Sequence, residues 1–214
     1  MAQKKETNFT DKKGVLNTET AVKALPVAEP AALGLIGLAV AALVLASADL
    51  KLASGLEKSL MIPWILMFGA TAQLIAGVME FKRNNVFGAT VFSVYAMTMF
   101  SIALTLFINN STLVNKGDIT YYTYGLIGIL IFSLIATIAS LMTNKALFGI
   151  LIAVDLAVAL LIPHYLYEMS SQPAGVFLLM TSVLSFYAAA AIILNTMAGR
   201  TILPLGKAIW SPKK

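Results

Sequence analysis

The sequence contains no cysteine and a single histidine, His164. That removes disulfides, thiolate chemistry, cysteine metal sites and paired-histidine metal motifs from consideration. Charge is also scarce, with Asp, Glu, Lys and Arg making up 12% of the 214 residues against 59% hydrophobic ones. The mean hydropathy of +0.85 lies far outside the range of a soluble domain. There is no phosphate-binding glycine-rich loop, no glycine-flanked serine nucleophile and no potassium-filter sequence. An enzyme or an ATP-driven pump is therefore not expected, nor is any cofactor or metal. The net charge of +5 gathers at breaks between apolar runs, where it reports topology and not nucleic-acid binding.

What the chain has is six apolar runs, at about 31–50, 62–81, 86–108, 119–143, 147–167 and 174–198. A helix of about 20 residues crosses a hydrocarbon core of about 30 Å. The expected fold class is an all-α integral membrane protein, a bundle of six transmembrane helices. Residues 1–27, with mixed charge and no apolar core, read as a disordered cytoplasmic tail and not as a signal peptide. Residues 28–207 form the membrane domain and 208–214 a second cytoplasmic tail. An even number of spans puts both termini on one side. That side carries twelve lysines and arginines against three on the other, which predicts cytoplasmic termini in the cell membrane.

Within the spans, four polar residues fall near the bilayer midplane: Gln73, Tyr95, Asp155 and Tyr187. Such groups must hydrogen-bond to one another or line water or substrate. Hydrogen bonding between helices accounts for Gln73 and the tyrosines as readily as a transport path does. Asp155 has two readings, a carboxyl that stays protonated and carries a proton, or a neutral group bonded to the next helix. Nearer the interfaces, His164 and Glu168 are spaced to pair on one helix face. Glu80 joins Lys82 and Arg83 as an ion-pair cluster, or stands at a cytoplasmic pore mouth. Small residues Gly69, Ala70, Ala72, Ala76 and Gly77 suit close helix packing, within the subunit or between subunits. Tyr121, Tyr122, Tyr124, Tyr165 and Tyr167 read as interfacial anchors.

The stretch from Gly69 through Gln73, Glu80, Arg83 and Asn84 to Phe92 and Tyr95 resembles the acetate uptake transporter family. The closing segment Asn195–Gly206 and the opening Glu29-Pro30-Ala31-Ala32-Leu33-Gly34-Leu35 are similar too. The resemblance covers about 28–207 and implies a homo-hexamer of six-helix protomers in the bilayer, each passing acetate and related small monocarboxylates, in some members with succinate or protons. Members are described as proton symporters and as anion channels, and both readings stand. It also implies a hydrophobic constriction that includes Tyr95, with Leu38 in place of an aromatic residue and Val154 as the aliphatic member. The path is expected to carry Gln73, Thr71 and Phe92 as well, and the cytoplasmic mouth Glu29, Glu80, Asn84 and Asn195. Glu29 stands where the family has asparagine, and Asp155 where a small polar residue is expected. A passive pore for another solute such as ammonia, or a membrane assembly protein without transport, are the rival readings.

Overall fold

The computed structural model describes residues 27–52, 58–111 and 117–211. Of the tail expected over residues 1–27, residues 1–26 lie outside the described residues, as do 212–214 at the other end. Among the described residues, six helices are long and apolar enough to span a membrane: α1 (Ala31–Asp49), α2 (Met61–Lys82), α3 (Val86–Asn110), α4 (Ile119–Ser140), α5 (Lys145–Tyr167) and α6 (Gln172–Ala198). Each lies within a few residues of its expected span, because charge and caps end the apolar runs. Asn85, Asp118 and Asn144 cap α3, α4 and α5, accepting from the amides of Gly88, Thr120 and Leu147, which satisfies amides that no helix turn can reach. Gly199, at φ 63°, ends α6 in the left-handed conformation that glycine adopts without a Cβ clash.

Around the bundle the order is α4, α5, α6, α1, α2, α3. Helix α1 meets α6 most extensively, α5 lies between α4 and α6, and α2 between α1 and α3, whereas α3 and α4 touch sparsely. Glu29, Arg83, the α4–α5 turn and the segment after α6 share one end, here the terminus end. At the opposite, far end, the Ser171 hydroxyl donates to the Asp49 carbonyl.

Helix α2 contains a feature that periodicity does not announce. Residues Ile65–Ala72 are wound as a π-helix, and the Thr71 hydroxyl donates to the Leu66 carbonyl five residues back at 2.8 Å. The Phe68 carbonyl lies where a side chain on α1 would otherwise go, since a Cβ on Gly37 would stand 2.4 Å from that oxygen. Nearby, a Cβ on Gly69 would meet the Cβ of Ala41 at 2.8 Å, and one on Gly77 would meet the Ser93 hydroxyl at 2.4 Å. Gly69 and Gly77 thus serve close approach of α2 to α1 and α3 within one subunit, which decides for those two glycines between the readings left open by the sequence.

The segment after α6 folds back on the bundle. The Asn195 side chain donates to the Leu203 carbonyl and accepts from the amides of Ile202 and Leu203. The Ala146 amide donates to the Leu205 carbonyl, and the amides of Ile209 and Trp210 both reach the Leu141 carbonyl. The expected tail at 208–214 therefore begins with residues tied to the α4–α5 turn.

Gly37→Ala is expected to lower stability by about 1–3 kcal/mol, the usual cost of overpacking a close contact. Gly128→Ala, where a Cβ meets nothing within 4 Å, should be neutral. Thermal unfolding of the two variants in the same detergent checks the contrast.

Candidate functional site

Two cavities lie end to end inside the bundle. The one at the terminus end, of about 240 Å³, is bordered by Glu29, Glu80 and Asn85 at its polar end and by Gln73, Phe92, Leu38 and Tyr95 deeper in. The other, of about 120 Å³, runs from Asp49, Lys58, Tyr122 and Tyr165 at the far end inward to Val154, Leu38 and Tyr95. Leu38 and Tyr95 line both cavities, and no other described residue does. Both are nearly buried. Phe92 reaches the terminus-end cavity from beside Gly34, where a Cβ would meet its ring at 2.5 Å.

From the Tyr95 hydroxyl a chain of hydrogen bonds crosses three helices to residues that border neither cavity. The Tyr95 hydroxyl on α3 lies 2.6 Å from the Ser133 hydroxyl on α4. Ser133 donates to Asp155 Oδ1 on α5, and Thr137, one turn along α4, donates to Asp155 Oδ2 at 2.6 Å. The Tyr95 ring also stands edge-on to Phe132 with centroids 5.7 Å apart. Asp155 is 7% exposed and Ser133 fully buried, and neither lines a cavity. Among the described residues, Asp155 has no ion-pair partner. Of its two readings, the bonded one describes the geometry, with two hydroxyls on the neighbouring helix as partners.

Gln73 is fully buried, borders the terminus-end cavity, and has neither its amide nitrogen nor its oxygen hydrogen-bonded. Glu80 is also fully buried. Its Oε2 accepts from the Asn85 side chain at 2.9 Å, Arg83 stands 3.9 Å from it, and Oε1 is unpartnered. Buried polar atoms of this kind are normally satisfied by protein or water, and both residues border the terminus-end cavity. Glu29 pairs with Arg83 at 2.6 Å across the mouth, and the hydrogen bond that Arg83 donates to Glu29 holds the guanidinium further above its ordinary pKa.

Several residues singled out in the sequence stand elsewhere. Thr71 spends its hydroxyl on Leu66 and borders neither cavity. Asn84 is exposed at φ 57°, and its neighbour Asn85 takes the place at the mouth. Asn195 clamps the C-terminal segment. Tyr187 is 38% exposed and donates to the Pro204 carbonyl, so it does not belong to an interior polar layer. His164 Nδ1 donates to the Met169 carbonyl at 2.5 Å and forms no ion pair with Glu168, whose φ of 54° ends the helix. Tyr122 and Tyr165 pack edge-on with centroids 5.1 Å apart and line the far cavity, whereas Tyr121, Tyr124 and Tyr167 are exposed as anchors would be. Ser133 and Asn85 were not singled out from sequence. A readable signal for Ser133 is the pair Ser133 and Thr137, four residues apart in an otherwise apolar run and hence on one face.

Six spans enclosing a pair of cavities define a polytopic membrane protein of transporter type. The profile of the GPR1/FUN34/yaaH family matches residues 13–206, and the chain belongs to that family. It is 29% identical over 208 residues to acetate permease A of Emericella nidulans, covering 89% of this chain and 70% of that one. It is 28% identical over 147 residues to the succinate-acetate/proton symporter SatP of Escherichia coli K12, covering 66% and 77% respectively. Its fold matches the bacterial acetate channel SatP with a TM-score of 0.78 at 24% identity, over 85% of this chain and all of the other. These names describe a permease, a symporter and a channel, none of them an enzyme.

Asn85 both caps α3 and donates to Glu80. Asn85→Ala is expected to cost about 1 kcal/mol for the cap and about 1–3 kcal/mol more for a Glu80 oxygen left unpaired. In a Glu80→Leu background the second part should disappear. A double-mutant cycle read by thermal unfolding in detergent measures the difference.

Proposed function

We propose that this protein passes acetate and related small monocarboxylates across the cytoplasmic membrane, through the two cavities and past a constriction formed by Leu38 and Tyr95. The observation that carries the reading is that two cavities from opposite ends of the bundle share those two side chains as their common wall. The substrate class follows from the named relatives, an acetate permease and a succinate-acetate/proton symporter. Along the sequence, twelve lysines and arginines fall in the segments that share a side with the termini against three in the segments between, which supports cytoplasmic termini. A homo-hexamer follows from the family resemblance.

The chemistry of the walls suits a small weak acid. A carboxylate stripped of water in an apolar setting needs hydrogen-bond donors in exchange. Gln73 offers an unengaged amide beside the constriction, and Tyr95 a hydroxyl within it. Neutral donors bind an anion weakly enough for it to leave again, where an arginine would hold it through paired, charge-assisted bonds. Val154 narrows the far side, and Phe92 the terminus side. Leu38 is slimmer than an aromatic ring at that position and leaves a wider passage.

Labelled acetate uptake into liposomes at fixed membrane potential, with and without an imposed pH gradient and with protein-free controls, tests the reading. Protein-dependent accumulation beyond acid leak identifies a symporter, and equilibration down the acetate gradient alone a channel. Uptake equal to the protein-free control, or flux that acetate does not compete for, refutes the assignment. Leu38→Phe is expected to slow larger carboxylates more than acetate, and equal slowing of all substrates would rule out a size filter at Leu38. Gln73→Leu should raise the acetate concentration needed for half-maximal uptake by about tenfold, the loss of one to two hydrogen bonds.

A further inference from the structure

The chain Tyr95, Ser133, Asp155 has a direction, and that direction depends on whether Asp155 holds a proton. A hydroxyl carries one proton to donate, and an ionised carboxylate can only accept. With Asp155 ionised, Ser133 donates to Oδ1 and so can only accept from Tyr95. The Tyr95 proton is then committed to Ser133 and is withheld from any occupant of the cavities that Tyr95 lines. With a proton on Oδ1, the order reverses: Asp155 donates to Ser133, Ser133 donates to Tyr95, and the Tyr95 proton is released for another acceptor. Thr137 donates to Oδ2 in both states.

We propose that Ser133 and Asp155 are positioning residues that switch Tyr95 between acceptor and donor at the constriction, so that a carboxylate is admitted when Asp155 is protonated. This rests on the reading of Tyr95 as a constriction residue on an acetate path. It differs from simple charge repulsion, because neither Ser133 nor Asp155 borders a cavity.

The same chain can deliver the proton. A hydronium in either cavity gives its proton to the Tyr95 oxygen and leaves water. Tyr95 passes its original proton to Ser133, and Ser133 passes its own to Asp155. Three O–H bonds form and three break, one positive charge neutralises the carboxylate, and the Tyr95 hydroxyl is left free to donate. Proton uptake and the appearance of a donor for acetate are therefore one event.

Few other groups bear on Asp155. Helix α5 packs against α4 and α6. On α4 the titratable side chains are Tyr121 and Tyr124, both exposed, and Tyr122, which packs on Tyr165 of α5. On α6, Tyr187 is bonded to Pro204. On α5 itself, Lys145, His164 and Tyr167 stand at the ends of the helix, and His164 is bonded to Met169. Among the described residues no cation pairs with Asp155, and Tyr95 of α3 is the titratable group connected to it.

Two measurements test the switch. In liposomes, acetate flux through the unaltered protein should rise as pH falls. Ser133→Ala, which leaves Asp155 in place, should lose that acid stimulation, and Ser133→Thr should restore it. Asp155→Asn, whose amide donates to Ser133 permanently, should stay active with no pH dependence. A Ser133→Ala variant that keeps the unaltered pH profile overturns the proposal. The second measurement needs no substrate. Infrared difference spectra of the purified protein across an acid titration should show a carboxyl band, absent in Asp155→Asn, rising together with a shift of a tyrosine C–O band, absent in Tyr95→Phe. A carboxyl band without the tyrosine shift, or no titrating Asp155, overturns the switch. Absence of protein-dependent acetate flux with the coupled bands present refutes the transport reading and leaves the switch standing.

Discussion

A carboxyl group buried among helices must be given hydrogen-bond partners, and meeting that demand for Asp155 organises the side of the bundle where packing is thinnest. Helices α3 and α4 touch sparsely, yet Ser133 of α4 bridges Tyr95 of α3 to Asp155 of α5. Removing any one of these groups would strand its neighbours inside a low-dielectric region, where an unmatched polar atom costs about 1–3 kcal/mol. The orientation of Tyr95 at the junction of the two cavities is thus held from behind, by groups the cavities never touch.

The opposite side of the bundle is held differently. There α2 approaches α1 and α3 through small residues, with Gly37, Gly69 and Gly77 allowing backbone or side-chain atoms to come closer than a Cβ would permit. The π-helical stretch of α2 carries the Phe68 carbonyl to Gly37, and α1 in turn brings Leu38, the next residue, to the cavity junction. One wall of the cavity junction is therefore placed by steric fit and the other by polar satisfaction.

The legibility of this arrangement in the sequence follows the range of the forces involved. Spans were readable because burial in lipid acts on every residue of a run, and the caps Asn85, Asp118 and Asn144 mark their starts. Depth was readable too, since 1.5 Å per residue fixes how far Tyr95 or Asp155 lies from an interface. Which way a side chain faces around the helix was not. Tyr187 lies at a depth compatible with an interior layer but turns outward to Pro204, and Thr71 turns to its own backbone inside a π-helix that no hydrophobic pattern signals. Partners on other helices were also hidden, as Ser133 shows. Small hydroxyls are common in packed spans, and one of them becomes part of a network when a specific tertiary contact puts a carboxylate opposite.

The return of the chain after α6 has a practical consequence. Leu205 lies in the wall of the terminus-end cavity while its carbonyl holds the start of α5 through Ala146. Leu205 is thus part of the vestibule's wall. Anything fused to this end of the protein, whether an affinity handle or a fluorescent reporter, pulls on a strap that shapes the mouth. Attachment at the other terminus avoids loading that strap.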